Sequence, residues 1–334
     1  MESAGRLRSI SLTKHPAFTF NFKIDHTIDE DCANDNDFDQ LWGLHNPSDP
    51  SVDINICDAW TITEGNGVNV AVVDTGIYKF HNDLSGNISS LSYDANTGTS
   101  PSIFIPNNAY QRHGTQVAGV ISALKDNNLQ VVGVAPQSKI ISVSHELPTP
   151  PTNEMSEELA DGINWAWQNG ADVINNSWSD QGGQFFNQLQ SAVLENAIED
   201  ALSQGRDGLG TAVIFTAGNT NSAIGYPGNY HPDILCVGAM MQSGAKAPFS
   251  SFGAELDVVA PGKDILTLIP NQGTNSVNGT SFAAPHVSGV AALMIAINPC
   301  ISVSSINNII EQTANKVGNY SYTNNSSRPN GTWH

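Results

Sequence analysis

The stretch that decides the fold is residues 68–76, which read VNVAVVDTG. An almost unbroken apolar run ends there in Asp74, and the turn residues Thr75 and Gly76 follow it. A short run that is apolar on both sides is typical of a parallel strand covered by helices on both faces. Asp74 is therefore predicted to lie at the carboxyl end of a buried strand, the edge at which open parallel sheets form their binding sites.

Outward from this strand, short apolar runs alternate with helix-like segments along most of the chain. This alternation predicts an α/β fold of three layers, α/β/α, with a mostly parallel central sheet. Strands are predicted at residues 68–73, 88–92, 139–144, 172–175, 212–216, 234–238 and 256–259. Helices are predicted at residues 114–124, 157–169, 188–203, 281–297 and 303–313.

Length and composition limit the possible functions. At 334 residues the chain is long enough for one large α/β domain. Its formal net charge of −19 argues against nucleic acid and anionic membranes as partners. We expect no membrane-spanning segment, because no apolar run reaches the length needed to cross a bilayer. Cys236 lies in an apolar run and is expected to be a buried thiol, while the pairing of Cys32, Cys57 and Cys300 stays open.

Two predicted helices begin with polar residues that can meet Asp74 at one edge of the sheet. Residues 113–115 read HGT and begin the first helix, and residues 279–286 read GTSFAAPH and begin the second. A serine hydroxyl is a poor nucleophile unless a base takes its proton and an acid orients that base. Asp74, His113 and Ser281 supply these three groups. Taken singly, each has an ordinary interpretation, as a turn aspartate, a capping histidine and an N-cap serine.

Together with the sequence AGN at residues 217–219, these motifs resemble the four signature segments of the subtilisin-like serine proteases, or subtilases. The resemblance implies a subtilisin-like fold in which Ser281 is the nucleophile, His113 its base and Asp74 the acid that orients the base. Asn219 is similar to the side-chain donor of the family's oxyanion hole, with the backbone N–H of Ser281 as its partner.

The resemblance extends from about Asp35 to the C-terminus. It implies a serine endopeptidase that hydrolyses peptide bonds through an acyl-enzyme. An α/β-hydrolase is disfavoured, because residues 279–283 lack the nucleophile-elbow pattern of that fold.

The resemblance also implies a channel in which an extended peptide pairs with two chain segments and places its P1 side chain in a pocket. Glycine at position 225 leaves space for a large side chain, and no acidic residue is evident at the channel positions. We therefore expect broad specificity with a preference for large apolar or aromatic P1 residues. The residues similar to those that line the channel are Ser177, Trp178, Ser179, Thr216, Ala217, Gly218 and Gly225.

Residues 124–131, which read LKDNNLQV, resemble the tight calcium-binding loop of the family in its longer, thermitase-like form. Oxygen-only ligation that includes two carboxylates suits structural Ca²⁺. Asp126 is a nearby alternative carboxylate, and an ordinary Asn-rich solvated turn is the alternative interpretation of the segment. The implied ligands are the side chains of Asp35, Asp83 and Asn127 and the backbone oxygens of Leu124, Leu129 and Val131.

The weakly patterned residues 1–33 are interpreted as a leader or propeptide remnant, and residues 34–334 as the catalytic domain. Compared with the family pattern, we expect this domain to be truncated at its C-terminal end. The family implies peptide and protein substrates, a propeptide that inhibits the enzyme and assists its folding, a monomer, and secretion. No signal-peptide pattern opens the sequence, so an intracellular subtilase is one alternative. A non-catalytic binding module is the other.

Overall fold

The computed structural model describes residues 32–102 and 111–318, and the backbone of residues 323–325 and 328–332. The chain divides into two units, Met1–Cys32 and Ala33–His334. The predicted leader therefore lies almost wholly outside the described residues. All helices and strands given below belong to the second unit.

A seven-stranded parallel sheet forms the centre of this unit. Its strands are β1 (Asn69–Asp74), β2 (Ile88–Asp94), β3 (Lys139–Ser144), β4 (Val173–Asn176), β5 (Ala212–Thr216), β6 (Leu235–Met240) and β7 (Val258–Pro261). Their order across the sheet is β2-β3-β1-β4-β5-β6-β7, and every neighbouring pair is parallel. The chain builds β2 and β3 on one side of β1 and then crosses to the other side for β4. Polar side chains from separate strands converge at such a switch point.

Helices cover the sheet. They are α1 (Ile56–Trp60), α2 (His113–Ser122), α3 (Met155–Gln168), α4 (Phe186–Leu189), α5 (Ala192–Gly208), α6 (Thr280–Ile297) and α7 (Val303–Thr313). Helix α2 packs with α6 and α3 packs with α5, and all four contact the sheet. Strands β1 and β5 are buried along almost their whole length, as expected between two helical layers. The predicted fold class is therefore confirmed.

Two features of the fold differ from the predicted elements. The helix predicted at 188–203 is divided, and α5 begins at Ala192 because the Ser191 hydroxyl caps it, accepting a hydrogen bond from the Leu194 N–H at 3.1 Å. Two antiparallel hairpins were not predicted: β8 (Ile265–Ile269) with β9 (Gly273–Val277), and β10 (Thr323–Asn325) with β11 (Arg328–Thr332). Strand β9 reads GTNSV and carries no apolar face that periodicity could detect.

The expectation about membrane-spanning length was wrong for one described helix. By length and composition, α6 is apolar enough to cross a bilayer, but 78% of that stretch is buried inside the protein. It contacts α2 and the strands β4 to β7. A helix that is mostly apolar around its circumference and mostly buried is a core helix of a domain.

The cysteines divide into two groups. Cys32 and Cys57 are disulfide-bonded. Cys236 is a buried thiol within β6, as expected, and Cys300 is an exposed thiol.

Candidate active site

Asp74 is the last residue of β1 and lies at the switch point of the sheet. Its side chain is completely buried. Its Oδ1 atom accepts hydrogen bonds from the backbone N–H of Thr75 at 2.6 Å and from the Thr75 hydroxyl at 3.2 Å. A buried carboxylate requires polar partners, and these hydrogen bonds both replace the water that burial removes and fix the orientation of the side chain.

His113 is the first residue of α2, and its ring faces Asp74. Its Nδ1 atom is 2.9 Å from both carboxylate oxygens. A proton on Nδ1 is donated to Asp74, which leaves Nε2 as the atom that can accept a proton. Burial lowers the pKa of His113, but the negative charge and the hydrogen bond of Asp74 outweigh it and raise the pKa above 6.5.

The turn after β1 and the first turn of α2 are locked together. The Gly114 N–H donates to the Thr75 hydroxyl at 3.1 Å, and the Tyr78 N–H donates to the Thr115 hydroxyl at 2.9 Å. A Cβ atom on Gly114 would lie 2.4 Å from the carbonyl oxygen of Gly76. The glycine in the HGT motif is therefore required by the close approach of two backbones, which sets the position of the imidazole.

Ser281 is the second residue of α6, and its side chain lies beside the chain that leaves β4. Its hydroxyl donates to the carbonyl of Ser177 at 3.1 Å, and the Ser177 hydroxyl donates in return to the carbonyl of Ser281 at 2.9 Å. That carbonyl lacks its usual intrahelical donor, because the residue four positions on is Pro285. Ser177 supplies the missing donor and so ties the start of α6 to the sheet.

The imidazole of His113 lies beside the helical turn that carries Ser281. The ring centroids of His113 and Phe282 are 5.4 Å apart. Within the described part of the chain, no hydrogen bond joins His113 to Ser281, whose hydroxyl is turned toward Ser177. Rotation about the Cα–Cβ bond moves this oxygen between staggered positions without any backbone shift. Catalytic hydrogen bonds are often misaligned before substrate binds.

Two buried residues that the motifs did not single out hold Ser177 in place. The side-chain amide of Asn175 donates to the Ser177 hydroxyl at 2.9 Å, and the Ser288 hydroxyl donates to Asn175 Oδ1 at 2.9 Å. All three side chains are buried. This network joins β4 to α6 beneath Ser281. The signal in the sequence was a pair of asparagines that ends an otherwise apolar strand.

Asn219 follows β5 and reaches the first turn of α6. Its Oδ1 atom accepts hydrogen bonds from the backbone N–H of Thr280 at 2.8 Å and from the Thr280 hydroxyl at 2.9 Å. Because the oxygen is occupied in this way, the NH₂ group is the part of the amide that is turned away from Thr280. The structure thus brings a side-chain donor next to the residue that precedes Ser281.

The predicted channel residues continue two neighbouring strands. Ser177, Trp178 and Ser179 follow β4, and Thr216, Ala217 and Gly218 end and follow β5. A third segment joins them, because the Gly225 N–H donates to the Ala217 carbonyl at 3.3 Å and the Asp180 N–H donates to the Tyr226 carbonyl at 2.9 Å. The segment 225–226 therefore closes the gap between the two strand extensions.

No acidic residue stands at the predicted channel positions themselves, but one lies beside them. Asp180 directly follows Ser179, and a Cβ atom built on Gly225 would lie 2.3 Å from its Oδ1. Sequence reasoning missed it because a turn of the chain, not a motif, brings this carboxylate to the glycine.

Residues 65–330 match the Subtilase family, peptidase family S8. The chain belongs to the subtilase family. It is 35% identical over 266 residues to Subtilisin DY of Bacillus licheniformis, an alignment that covers 78% of this chain and 88% of the relative. It is 37% identical over 268 residues to Subtilisin E of Bacillus subtilis, with 77% of this chain and 63% of that protein covered. The subtilase is therefore a subtilisin-like serine protease, a hydrolase that acts on proteins.

Two solved structures are similar to this subtilase. A protease from Pseudoalteromonas arctica superposes with a TM-score of 0.72 at 31% identity, covering 84% of this chain and 92% of the other. A cold-adapted subtilisin-like serine proteinase superposes with a TM-score of 0.65 at 27% identity, covering 84% and 94%.

The loop of the subtilase that was predicted to bind calcium lies against two buried carboxylates. Asp83 accepts hydrogen bonds from the Asn127 side-chain amide at 2.7 Å and from the Val131 N–H at 3.0 Å. Asp35 accepts from the Asp126 N–H at 3.0 Å and from the Asn127 N–H at 3.4 Å. The structure therefore brings both predicted carboxylates to the same loop. The alternative carboxylate, Asp126, pairs with Lys125 at 2.5 Å.

Two of the oxygens predicted as ligands already accept hydrogen bonds within the loop region, the backbone oxygen of Leu129 and the side-chain oxygen of Asn127. The Leu129 carbonyl accepts a hydrogen bond from the Asn36 N–H at 2.5 Å, and the Leu129 N–H donates to Asn127 Oδ1 at 2.8 Å. Among the described residues, no three His, Cys, Asp or Glu side chains form a group that could hold a metal ion. A cation at this loop would therefore depend on amide and carbonyl oxygens as well as on Asp35 and Asp83.

The two carboxylates are electrostatically unfavourable as they stand. Burial raises the pKa of Asp83 from 3.8 to about 6, the bonds from Asn127 and Val131 lower it, and the charge of Asp35 raises it further. Burial likewise raises the pKa of Asp35. A desolvated pair of like charges with oxygen atoms around it fits a divalent hard cation.

Proposed function

We propose that Ser281 is the nucleophile of an endopeptidase that works through an acyl-enzyme. His113 Nε2 removes the hydroxyl proton and later returns it to the leaving amine, and Asp74 holds the imidazole in the required tautomer. Water then hydrolyses the acyl-enzyme by the same proton route. The observation that carries this proposal is the 2.9 Å contact of His113 Nδ1 with the buried Asp74 carboxylate, beside the turn that bears Ser281.

The NH₂ group of Asn219 and the backbone N–H of Ser281 form the proposed oxyanion hole. Charge develops on the substrate oxygen only in the transition state, so donors placed there accelerate the chemical step. The hydrogen bonds from Thr280 to Asn219 Oδ1 support this assignment, because they fix which end of the amide faces the substrate.

The subtilase is further proposed to bind an extended peptide between residues 177–179 and 216–218, with broad specificity and a preference for large apolar or aromatic P1 residues. Main-chain pairing recognises the peptide backbone and tolerates many side chains. No side chain projects from Gly225, although the Asp180 carboxylate packs against this glycine. Comparison of cleavage after Phe, Leu and Arg tests this preference, and a strong preference for Arg would refute it.

Structural calcium is proposed at the loop 124–131. Asp35, Asp83 and Asn127 would hold it through side-chain oxygens, and the backbone oxygens of Leu124, Leu129 and Val131 would complete the ligand set. The ion would neutralise the two carboxylates and stabilise the loop.

We also propose that residues 34–334 form the catalytic domain, that a propeptide inhibits it and assists its folding, and that the enzyme acts as an extracellular monomer. The disulfide-bonded state of Cys32 and Cys57 supports an oxidising compartment.

Labelling with a fluorophosphonate, a reagent for activated serines, tests the catalytic assignment. We expect the label on Ser281 of the full chain, none on the Ser281→Ala variant, and strongly reduced labelling of the His113→Ala variant. A chain that binds peptides but neither takes the label nor hydrolyses casein would instead be the non-catalytic binding module.

A further inference from the structure

We propose that Asn175 is a positioning residue for the reaction at Ser281, and that it acts through the hydroxyl of Ser177. Asn175 lies within β4 and is completely buried, so its side chain does not touch the peptide. The inference rests on the proposed role of Ser281 as the nucleophile and deepens it.

The first step is the backbone carbonyl of Ser281, which needs a donor from outside its helix. In an α-helix this carbonyl would accept from the N–H of residue 285, but that residue is proline and has no N–H. The Ser177 hydroxyl donates to the carbonyl at 2.9 Å, in a buried contact. Without this donor, the residue that carries the nucleophile would have an unsatisfied buried carbonyl.

The second step is the direction of the hydrogen bonds. The single hydroxyl proton of Ser177 is committed to the Ser281 carbonyl, because a carbonyl oxygen can only accept. The group of Asn175 that lies 2.9 Å from Ser177 Oγ must then be a donor, which is its NH₂ group. On the other side, Asn175 Oδ1 accepts from the Ser288 hydroxyl at 2.9 Å, and that hydroxyl also lies 3.1 Å from the Ala284 carbonyl.

The third step is the connection between the sheet and the start of α6. Asn175 lies opposite Val72 of β1, the strand that ends in Asp74. The chain of hydrogen bonds from Asn175 through Ser177 therefore fixes the first turn of α6 relative to the strand that carries Asp74. A displacement of about 1 Å in a reacting group can lower a rate about 10²-fold, even when its cause lies away from the chemistry.

The experiment compares Asn175→Leu with a matched control, Asn307→Leu, in the full chain. Asn307 is a buried asparagine of α7, and its NH₂ group donates to the Asp233 carbonyl at 2.7 Å. Both substitutions remove a buried amide and should lower the melting temperature. Only Asn175→Leu should lower kcat, by about tenfold, with KM changed by less than about threefold. The rate of labelling by a fluorophosphonate should fall in parallel with kcat.

Two further backgrounds separate positioning from a general loss of packing. Pro285→Ala supplies a backbone N–H for the Ser281 carbonyl, so in this background Asn175→Leu should lower kcat by less than about threefold. In the Ser177→Ala background Asn175→Leu should likewise add little, because the group through which it acts is already gone. If Asn175→Leu does not fold, Ser288→Ala tests the same chain of bonds. We expect it to lower kcat by about threefold and Pro285→Ala to relieve this loss.

Unchanged kcat in Asn175→Leu would overturn the proposal, and so would a tenfold loss that persists in the Pro285→Ala and Ser177→Ala backgrounds. If Ser281→Ala hydrolyses peptides as fast as the parent, the assignment of the nucleophile fails and the inference fails with it. If Ser281→Ala is inactive but Asn175→Leu keeps the parent kcat, the inference alone fails and the nucleophile stands.

Discussion

At the scale of single residues, the contact between His113 and Asp74 should set the pH dependence of the proposed reaction. A histidine acts as a general base only when its imidazole is neutral, and Asp74 raises the pKa of the His113 imidazole above 6.5. Activity should therefore be lost as the pH falls through a value above 6.5. We expect the acidic limb of a kcat/KM profile to have its inflection there. A profile that stays flat to pH 4 would contradict the assignment of His113 as the base.

Replacing Asp74 separates its two proposed effects on His113, which are to raise the pKa of the imidazole and to fix its tautomer. In the Asp74→Asn variant, the loss of charge should move the acidic inflection to lower pH, because the imidazolium is no longer stabilised. The wrong tautomer of His113 should also lower kcat by about 10⁴, a magnitude known from other serine proteases. The measurement is a pH profile of both forms. An unchanged inflection would mean that Asp74 does not act through His113.

Asn219 can be tested with two variants that divide its functions. Asn219→Ala removes the NH₂ donor and also the oxygen that accepts from Thr280. Asn219→Asp keeps an acceptor for Thr280 but replaces the donor with a second oxygen. Both should lower kcat by about 10²–10³ with little change in KM, a magnitude known for this donor in subtilisin. If Asn219→Asp retained full kcat, Asn219 would be a helix cap and not part of an oxyanion hole.

The sequence was sufficient to predict that Asp74, His113 and the turn that bears Ser281 lie together at one edge of the sheet, because all three residues lie in short motifs whose neighbours are fixed by backbone geometry. It was not sufficient for Asn175 or Asp180. Their contacts with Ser177 and Gly225 depend on how separate segments pack, and no local pattern records that packing.

At the scale of elements, the position of α2 depends on Gly114. In the Gly114→Ala variant the added carbon would meet the Gly76 carbonyl at 2.4 Å, and backbone cannot yield as a flexible side chain can. We expect a loss of about 1–3 kcal/mol in the free energy of unfolding, together with reduced kcat, because His113 moves with the helix. Denaturant unfolding and steady-state kinetics measure the two effects.

The control is Gly273→Ala in β9, whose added carbon meets only atoms of the Ile269 side chain, at 3.2 Å. It should leave kcat unchanged and alter stability by less. Equal effects of the two substitutions would show that the contact at Gly114 has no special role in placing the imidazole.

Strands and helices were predictable where burial gives a clear period. The observed β3, β5 and α7 begin and end where their predicted counterparts do, at residues 139–144, 212–216 and 303–313. An observed helix start differs from the predicted one where a capping side chain sets the first residue, as the Ser191 hydroxyl does for α5. The β8–β9 hairpin escaped prediction because its second strand is polar and half-exposed.

At the scale of the whole molecule, the loop 124–131 joins parts of the chain that are distant in sequence. Asp35 lies near the start of the described residues and Asp83 follows β1, and the backbone N–H groups of Asp126 and Val131 bind them. The order of the sheet follows from alternating elements, but this assembly of loops could be anticipated only through the family resemblance. Its stability should depend on a cation, since burial opposes both negative charges.

Removing calcium should therefore lower the melting temperature of the full chain. An ion at about 100 times its Kd stabilises by about 2.7 kcal/mol, which corresponds to about 4 °C for a protein of this size. In Asp83→Asn the difference between calcium and chelator should largely disappear, because the site loses half of its negative charge. The exposed Asp264→Asn variant should keep the full difference. Identical melting of the parent with calcium and with chelator would show that the loop is an ordinary solvated turn, stabilised by its own amide hydrogen bonds alone.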